Sequence, residues 1–316
     1  MLEILSWLGI FAVSLFVLVK SSDFFTDSAE KIGIFLKFPP FVVGVAIVSI
    51  GTSLPELMSS VVAVVQGSSE IVFGNVVGSN VANIFLIIGI AAIIAKQIHL
   101  KYEIASVDLP LFVGSAFLLS LMLITGQFSI GEALLCILAY IVYLMYTMQH
   151  SEIGTLDEET GQIIERGKVP VRAFIVLLLS VVGLYFGADY TVMSIVKLSE
   201  IFNVGKEIIA VSVLAIGTSL PELMVSIVCV RKGNGEMAVG NVIGSNIFNA
   251  LMVMSIPRLF GVLTIPERTL WEGLLEMVFG TILMFFVVQD KQITRWEGYL
   301  FLIFYAWFIA QIFNLV

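Results

Sequence analysis

Apolar residues in this chain run in ten long blocks, and charged residues collect at the block ends. A spanning helix needs about 20 mostly apolar residues. The first half supplies Leu2 to about Phe35, Phe41 to Val65, Ile71 to Ala95, Val107 to Ile124 and Gly131 to Met148. The second half supplies Val171 to about Phe202, Ile208 to Val230, Met237 to Phe260, Leu270 to Val288 and Trp296 to Val316. The first block of each half is too long, and too polar in its second part, to face lipid throughout, which predicts a tilted helix or an amphipathic extension. Between the halves, Gln149 to Pro170 is the one substantial hydrophilic segment, and it is too short for a folded domain. The pattern predicts an all-α membrane protein of ten transmembrane helices, divided into residues 1–148, a linker loop at 149–170 and residues 171–316.

The halves repeat. GTSLPELM at 51–58, followed by GNVVGSNVAN at 74–83, returns as GTSLPELM at 217–224 and GNVIGSNIFN at 240–249. Gly51 and Gly217, Glu56 and Glu222, and Asn83 and Asn249 are each 166 residues apart, so the unit carries no insertion or deletion. Five spans per copy is an odd number, so the copies enter the membrane from opposite sides as an inverted repeat.

Composition narrows the class. The chain is 59% hydrophobic and 13% charged, with a mean hydropathy of +1.05, whereas soluble domains run near 45–50% and about 25%. The net charge of −8 and the scattered Lys and Arg leave no basic patch for nucleic acid. Cys136 and Cys229 lie in apolar runs and read as packing residues. Met1 to Lys20 has neither a basic leader nor a small-residue cleavage site, so it reads as a retained span. Lys31, Lys37, Lys96, Lys101, Arg166, Lys168, Arg172, Arg231, Lys232, Lys291 and Arg295 fall on one side, against Lys197, Lys206, Arg258 and Arg268 on the other. Positive residues stay inside, so the linker is expected in the cytoplasm and both termini outside the cell membrane.

The repeated motif carries the chemistry. Proline has no amide hydrogen and its ring clashes with the carbonyl four residues back, so Pro55 and Pro221 should break their helices near Gly51 and Gly217 and release carbonyls in mid-membrane. Such breaks persist at that depth where they line a cavity or coordinate something. Beside them stand the hydroxyls of Thr52, Ser53, Thr218 and Ser219 and the carboxylates of Glu56 and Glu222. Asn75, Ser79 and Asn83, and likewise Asn241, Ser245 and Asn249, recur every four residues and share a helix face. All are oxygen donors, the preference of hard cations such as Ca²⁺. His99 and His150 sit at span ends, which argues against zinc or copper.

Plainer readings exist for part of this set. Gly74 with Gly78, and Gly240 with Gly244, have the small-xxx-small spacing of close helix packing. The Ser and Asn stripe is also compatible with hydrogen bonding between helices. A carboxylate near the bilayer centre costs about 2.5–3.5 kcal/mol even on a lenient scale, so Glu56 and Glu222 point to function. Asp23 and Asp189, also 166 apart, either line a passage or pair near a helix end. Glu70 and Glu236 stand at turns and read as solvated.

GTSLPE followed by GNxxGSNxxN, twice over, resembles the α-repeats of the cation/calcium antiporter superfamily, in its sodium/calcium exchanger branch and prokaryotic form. That resemblance covers essentially the whole chain and implies a secondary-active antiporter exchanging Na⁺ for Ca²⁺ by alternating access. It implies that Glu56 and Glu222 bind Ca²⁺ with backbone oxygens of Thr52 and Thr218. Flanking Na⁺ sites would use Ser53, Ser79 and the Ser49 carbonyl in one half, and Ser219, Ser245 and the Ala215 carbonyl in the other. Asn83 and Asn249 would complete the central layer. Several relatives carry Asp at the position of Asn249, so the amide here weakens the case for K⁺ co-transport. Neither a cofactor nor an obligatory protein partner is implied; the partners are Ca²⁺, Na⁺ and the bilayer. A proton/calcium exchanger of the same fold is the alternative, disfavoured because the neutral Thr-Ser and Gly-Ser-Asn oxygens are more than a proton needs. An ion channel and an intramembrane protease account less well for a matched carboxylate pair.

Overall fold

A computed structural model describes residues 2–67, 69–104, 108–150, 170–201, 219–263, 265 and 267–312. Helices dominate. They are α1 (Leu2–Leu36), α2 (40–52), α3 (Leu54–Val65), α4 (70–95), α5 (Asp108–Leu123), α6 (Ile130–His150), α7 (Val171–Ile201), α8 (Leu220–Arg231), α9 (235–258), α10 (Glu267–Val288) and α11 (Arg295–Ile312). Among the described residues, seven helical stretches are long and apolar enough to cross a membrane, the pair α2–α3 counting as one, and α5 is a shorter apolar helix. Where a block's ends lie among the described residues, the helical ends fall within a few residues of them; the start of the Ile208 to Val230 block and the end of the Trp296 to Val316 block lie outside the described residues. The part of the second motif at 202–218, with Ala215, Gly217 and Thr218, lies outside the described residues, as does 151–169 of the linker.

Burial sorts the helices into a centre and a periphery. The most apolar window of α9 is 94% buried, and that of α1 only 17%. Helix α1 packs along α7, where Gly187 admits the Leu18 backbone: a Cβ there would stand 2.8 Å from the Leu18 nitrogen. The centre is made by α2 laid against α9. A Cβ on Gly240 would come within 2.2 Å of the Phe41 carbonyl oxygen, and one on Gly44 within 2.4 Å of the Met237 carbonyl oxygen. The packing role assigned to Gly240 and Gly244 is therefore met, since Gly244 faces Ser49 at similar range. Gly74 and Gly78 meet no described atom within 4 Å.

One feature escapes hydropathy altogether. Gln97–His99 (β1) pairs antiparallel with Gln292–Thr294 (β2), Ile98 opposite Ile293, tying the end of α4 to the start of α11. Two backbone bonds extend the tie, Leu100 N to Lys291 O at 2.8 Å and Arg295 N to Lys96 O at 2.9 Å. Lys291 pairs with Glu103 at 2.5 Å, and Lys232 with Asp27 at 2.7 Å. The Tyr102 ring stacks on Phe41 at 5.0 Å. Lys96, Lys101, Lys232, Lys291 and Arg295 thus gather at one end of the bundle, the basic end. Arg258 sits elsewhere, donating to Phe128 O at 2.5 Å and to Gly261 O at 3.1 Å. Asp23 resolves toward pairing, 3.6 Å from Lys20 and 3.9 Å from Lys232, while Asp189 is exposed. Glu236 departs from the solvated reading: one carboxylate oxygen accepts the backbone N–H groups of Lys101 and Tyr102, which pins the loop after β1.

Candidate functional site

The helix break falls at Ser53, two residues beyond the expected Gly51. Ser53 has φ −90° and ψ 4°, and α3 restarts with Pro55 in its first turn. The physical reason survives the shift: Pro55 has no N–H for the Gly51 carbonyl, and the bend is taken up at the residue between. Only Ser53 N to Ser49 O (3.0 Å) and Leu57 N to Ser53 O (3.2 Å) bridge the pieces among the described residues. The carbonyls of Gly51 and Thr52 are thereby turned out of the helical ladder. Ser219 repeats the geometry at φ −86° and ψ 5°, with Pro221 in the first turn of α8. Glu56 and Glu222 consequently occupy the first turns of α3 and α8, where aligned peptide dipoles favour negative charge.

Both carboxylates are buried to 1% exposure in the middle of the molecule and lie close enough to interact electrostatically. Ser53 Oγ donates to Glu222 Oε1 at 3.0 Å, so a residue of the first half serves the carboxylate of the second. The remaining carboxylate oxygens, both of Glu56 and Oε2 of Glu222, have no hydrogen-bond partner among the described residues. The same holds for Asn83 Oδ1, Asn249 Oδ1, Ser245 Oγ and Asn80 Oδ1. Buried polar atoms are nearly always bonded, and an orphan costs about 1–3 kcal/mol. Two buried carboxylates without a Lys or Arg ion-pair partner among the described residues, together with unpaired neutral oxygens of the same repeated motifs, are a donor set of the kind hard cations take. Among the described residues no group of three or more His, Cys, Asp and Glu comes together. The donor set is two carboxylates plus neutral oxygens.

The other candidate residues divide between ligand-like and structural contacts. Thr52 Oγ1 donates to Asn241 Oδ1 at 3.2 Å, and Asn241 Nδ2 to Ser226 Oγ at 3.0 Å. Asn75 makes the matching bond to Ser60 at 3.1 Å. These two Asn therefore hold the broken helices against their neighbours, while Asn83 and Asn249 present free carbonyls. The Ser49 carbonyl already accepts Ser53 N, and Thr52 Oγ1 at 3.4 Å. Ser79 and Ser219 are buried at 4% and 3% exposure. Thr218 and Ala215 lie outside the described residues.

Asn80 and Asn246 were not singled out by the four-residue stripe, yet they join the halves. Asn80 Nδ2 donates to Asn246 O at 3.3 Å, Asn246 Nδ2 returns to Asn80 O at 3.2 Å, and Asn83 Nδ2 donates to Asn246 Oδ1 at 2.9 Å. Nor did the motif announce that Asn83 and Asn249 sit in π-helical turns, Ala82–Ile88 and Asn249–Val253, a local widening that recurs at functional sites.

Comparison with known proteins identifies the family and the fold. The family model for sodium/calcium exchanger proteins matches residues 6–149 and 172–313. The chain is 32% identical to the sodium/calcium exchanger MaX1 of Methanosarcina acetivorans, over 96% of this chain and 97% of that protein. It is 30% identical to an uncharacterized membrane protein of Methanocaldococcus jannaschii with the same coverage. The fold superposes on the sodium-calcium exchanger NCX_Mj, in crystals soaked with Na⁺ and Sr²⁺, at a TM-score of 0.84 and 28% identity, covering 97% of this chain and 98% of that one. The chain belongs to the sodium/calcium exchanger protein family.

Proposed function

We propose that this protein is a multi-pass membrane antiporter that exchanges Na⁺ for Ca²⁺ at one centre built by Glu56 and Glu222. The observation that carries the reading is the pair of buried carboxylates of Glu56 and Glu222, accompanied in the same repeated motifs by Asn83, Asn249 and Ser245 oxygens that likewise have no hydrogen-bond partner among the described residues. Two carboxylates give a charge of −2, which one Ca²⁺ or two Na⁺ neutralise, so the ions compete for the centre and need not bind together. An uncompensated carboxylate pair is costly to seal from water, which suppresses reorientation of the empty site and couples the two fluxes.

In this reading the Thr52 and Thr218 carbonyls, Asn83 and Asn249 complete the Ca²⁺ layer. Ser53, Ser79 and the Ser49 carbonyl, with Ser219, Ser245 and the Ala215 carbonyl, hold flanking Na⁺. The Thr52 hydroxyl has a single hydrogen, and its shorter contact is Asn241 Oδ1, so the Ser49 carbonyl, which accepts Ser53 N, keeps its second lone pair for a cation. The chain forms ten spans as two inverted halves, 1–148 and 171–316, joined by the 149–170 linker. The reciprocal Asn80–Asn246 bonds, between residues 166 apart, support a two-fold relation of the halves. The gathering of lysines at the basic end supports a cytoplasmic linker with both termini outside. Alternating access follows from α1 and α7 moving against the central helices. Asn249, an amide, adds no charge, so K⁺ is not required.

The experiment is ⁴⁵Ca²⁺ uptake into proteoliposomes holding the purified protein, with an outward Na⁺ gradient, a proton gradient, or Na⁺ with external K⁺. Uptake on the Na⁺ gradient alone is the expected result. Equal uptake on the proton gradient without Na⁺, or a requirement for K⁺ on the Ca²⁺ side, overturns it.

A further inference from the structure

We infer that the protein holds an anionic phospholipid in a groove between α1 and α7 at its basic end. A cavity of about 690 Å³ lies between these helices, reaching from Lys31 and Arg172 at its mouth to Phe24 and Leu179 in its depth. The helices are antiparallel here. Phe24 stands seven residues before Lys31 and Leu179 seven after Arg172, so each wall descends about 10 Å from charge to apolar surface. Phe24 and Leu179 are 55% and 66% exposed, and both lie in stretches that span the membrane, so acyl chains are what they face.

The mouth is cationic. Lys31 and Arg172 are exposed, and neither has an ion-pair partner among the described residues. One carboxylate lines the groove, Asp27, and it is taken by Lys232 at 2.7 Å. Glu30 adjoins Lys31 in sequence but lies toward Cys229 on α8. Two cations without an ion-pair partner among the described residues, set over an apolar slot at the basic end of the bundle, match a phosphate headgroup with its first acyl carbons below it. Basic pockets between spanning helices on the cytoplasmic side recognise such headgroups. A zwitterionic lipid offers the same chains without the net charge.

The test is native mass spectrometry of the intact purified chain, titrated with phosphatidylglycerol and, separately, phosphatidylcholine. Phosphatidylglycerol should be retained and phosphatidylcholine lost. Each cation near a membrane surface contributes about 1 kcal/mol, so Lys31→Gln and Arg172→Gln should each weaken retention about fivefold and the double variant about thirtyfold. Lys37→Gln, at the same end but outside the groove, should change nothing. The single variants give the reading if the double variant does not fold. Equal retention of the two lipids makes the groove an acyl-chain slot and overturns the proposal, as does displacement by millimolar inorganic phosphate, which makes it a soluble-anion site. Retention unchanged in all three variants also overturns it. Lipid retention is read without ion flux, so it fails or holds separately from the antiport reading.

Discussion

The two copies of the motif are identical over GTSLPELM, yet the structure treats their carboxylates differently. Glu222 receives the Ser53 hydroxyl at 3.0 Å; both oxygens of Glu56 lack a hydrogen-bond partner among the described residues. What the copies share is scaffolding: Asn75 with Ser60 and Asn241 with Ser226 are the same contact made twice, and Asn80 and Asn246 bond each other reciprocally. The lesson is that the contacts between helices repeat from copy to copy while the contacts of the carboxylates do not. A transporter that opens alternately to each side needs that division, because its two states exchange the environments of the two halves.

The largest effect separates charge from contact. Under the proposed function, Glu56→Gln and Glu222→Gln each remove one of the two charges that would balance a buried cation, and losing one partner of such a set costs about 3–5 kcal/mol. Ca²⁺ affinity in either variant should fall by at least about two orders of magnitude, with proteoliposome uptake at background and elution on gel filtration unchanged. If the Ser53 contact rather than the charge defined the working copy, one of the two variants would keep near-normal exchange.

Next comes the shared frame. Asn246→Ala strips the partner from Asn83 Nδ2 and from Asn80 O, whereas Asn80→Ala removes its donations to Asn246 O and, at 3.5 Å, to the Met277 sulfur. At about 1–3 kcal/mol per orphaned buried group, Asn246→Ala should destabilise by about 3 kcal/mol and Asn80→Ala by about half that. Thermal unfolding in detergent orders them. Equal losses would mean that the reciprocal pair, and not the extra bond to Asn83, carries the junction.

Packing glycines give a third contrast. Gly240→Ala drives a Cβ to 2.2 Å from the Phe41 carbonyl, a backbone atom that cannot swing aside, and should cost about 1–3 kcal/mol. Gly74→Ala meets no described atom within 4 Å and should be neutral, or gain up to about 1 kcal/mol from helix propensity. A Gly74→Ala variant as unstable as Gly240→Ala would show that both copies are clamped alike.

These contrasts also mark what the chain discloses unaided. Spans were legible because lipid imposes a length and an apolar composition, and Glu56 and Glu222 because a carboxylate stands out against such a background. Asn80 and Asn246, like Ser60 and Ser226, were legible in principle: each pair is 166 apart, the same signal that marks the glutamates. A four-residue stripe passes over them because π-helical turns and contacts between helices do not follow one helix face. The β1–β2 tie is three residues a side and offers no period to read. Asp108, buried at 2% exposure and bonded by the Tyr143 hydroxyl at 3.0 Å, has no counterpart in the other half and so no repeat to announce it.

The smallest effect tests the asymmetry itself. Ser53 Oγ is one neutral hydroxyl on a carboxylate, worth about 1 kcal/mol or a little more, so Ser53→Ala should weaken apparent Ca²⁺ affinity about fivefold. If the described geometry belongs to one of two access states, the weakening appears when Ca²⁺ is added on one side of the membrane. Ser219 occupies the mirror position and is buried at 3% exposure. In the opposite state it should take the role toward Glu56 that Ser53 has toward Glu222, so Ser219→Ala should weaken affinity from the other side. Measuring ⁴⁵Ca²⁺ exchange in oriented vesicles, with Ca²⁺ varied on each face in turn, separates the cases. Shifts of both variants on the same face would mean that the Ser53 contact is a fixed feature of the first half, and that the two copies do not trade places during transport.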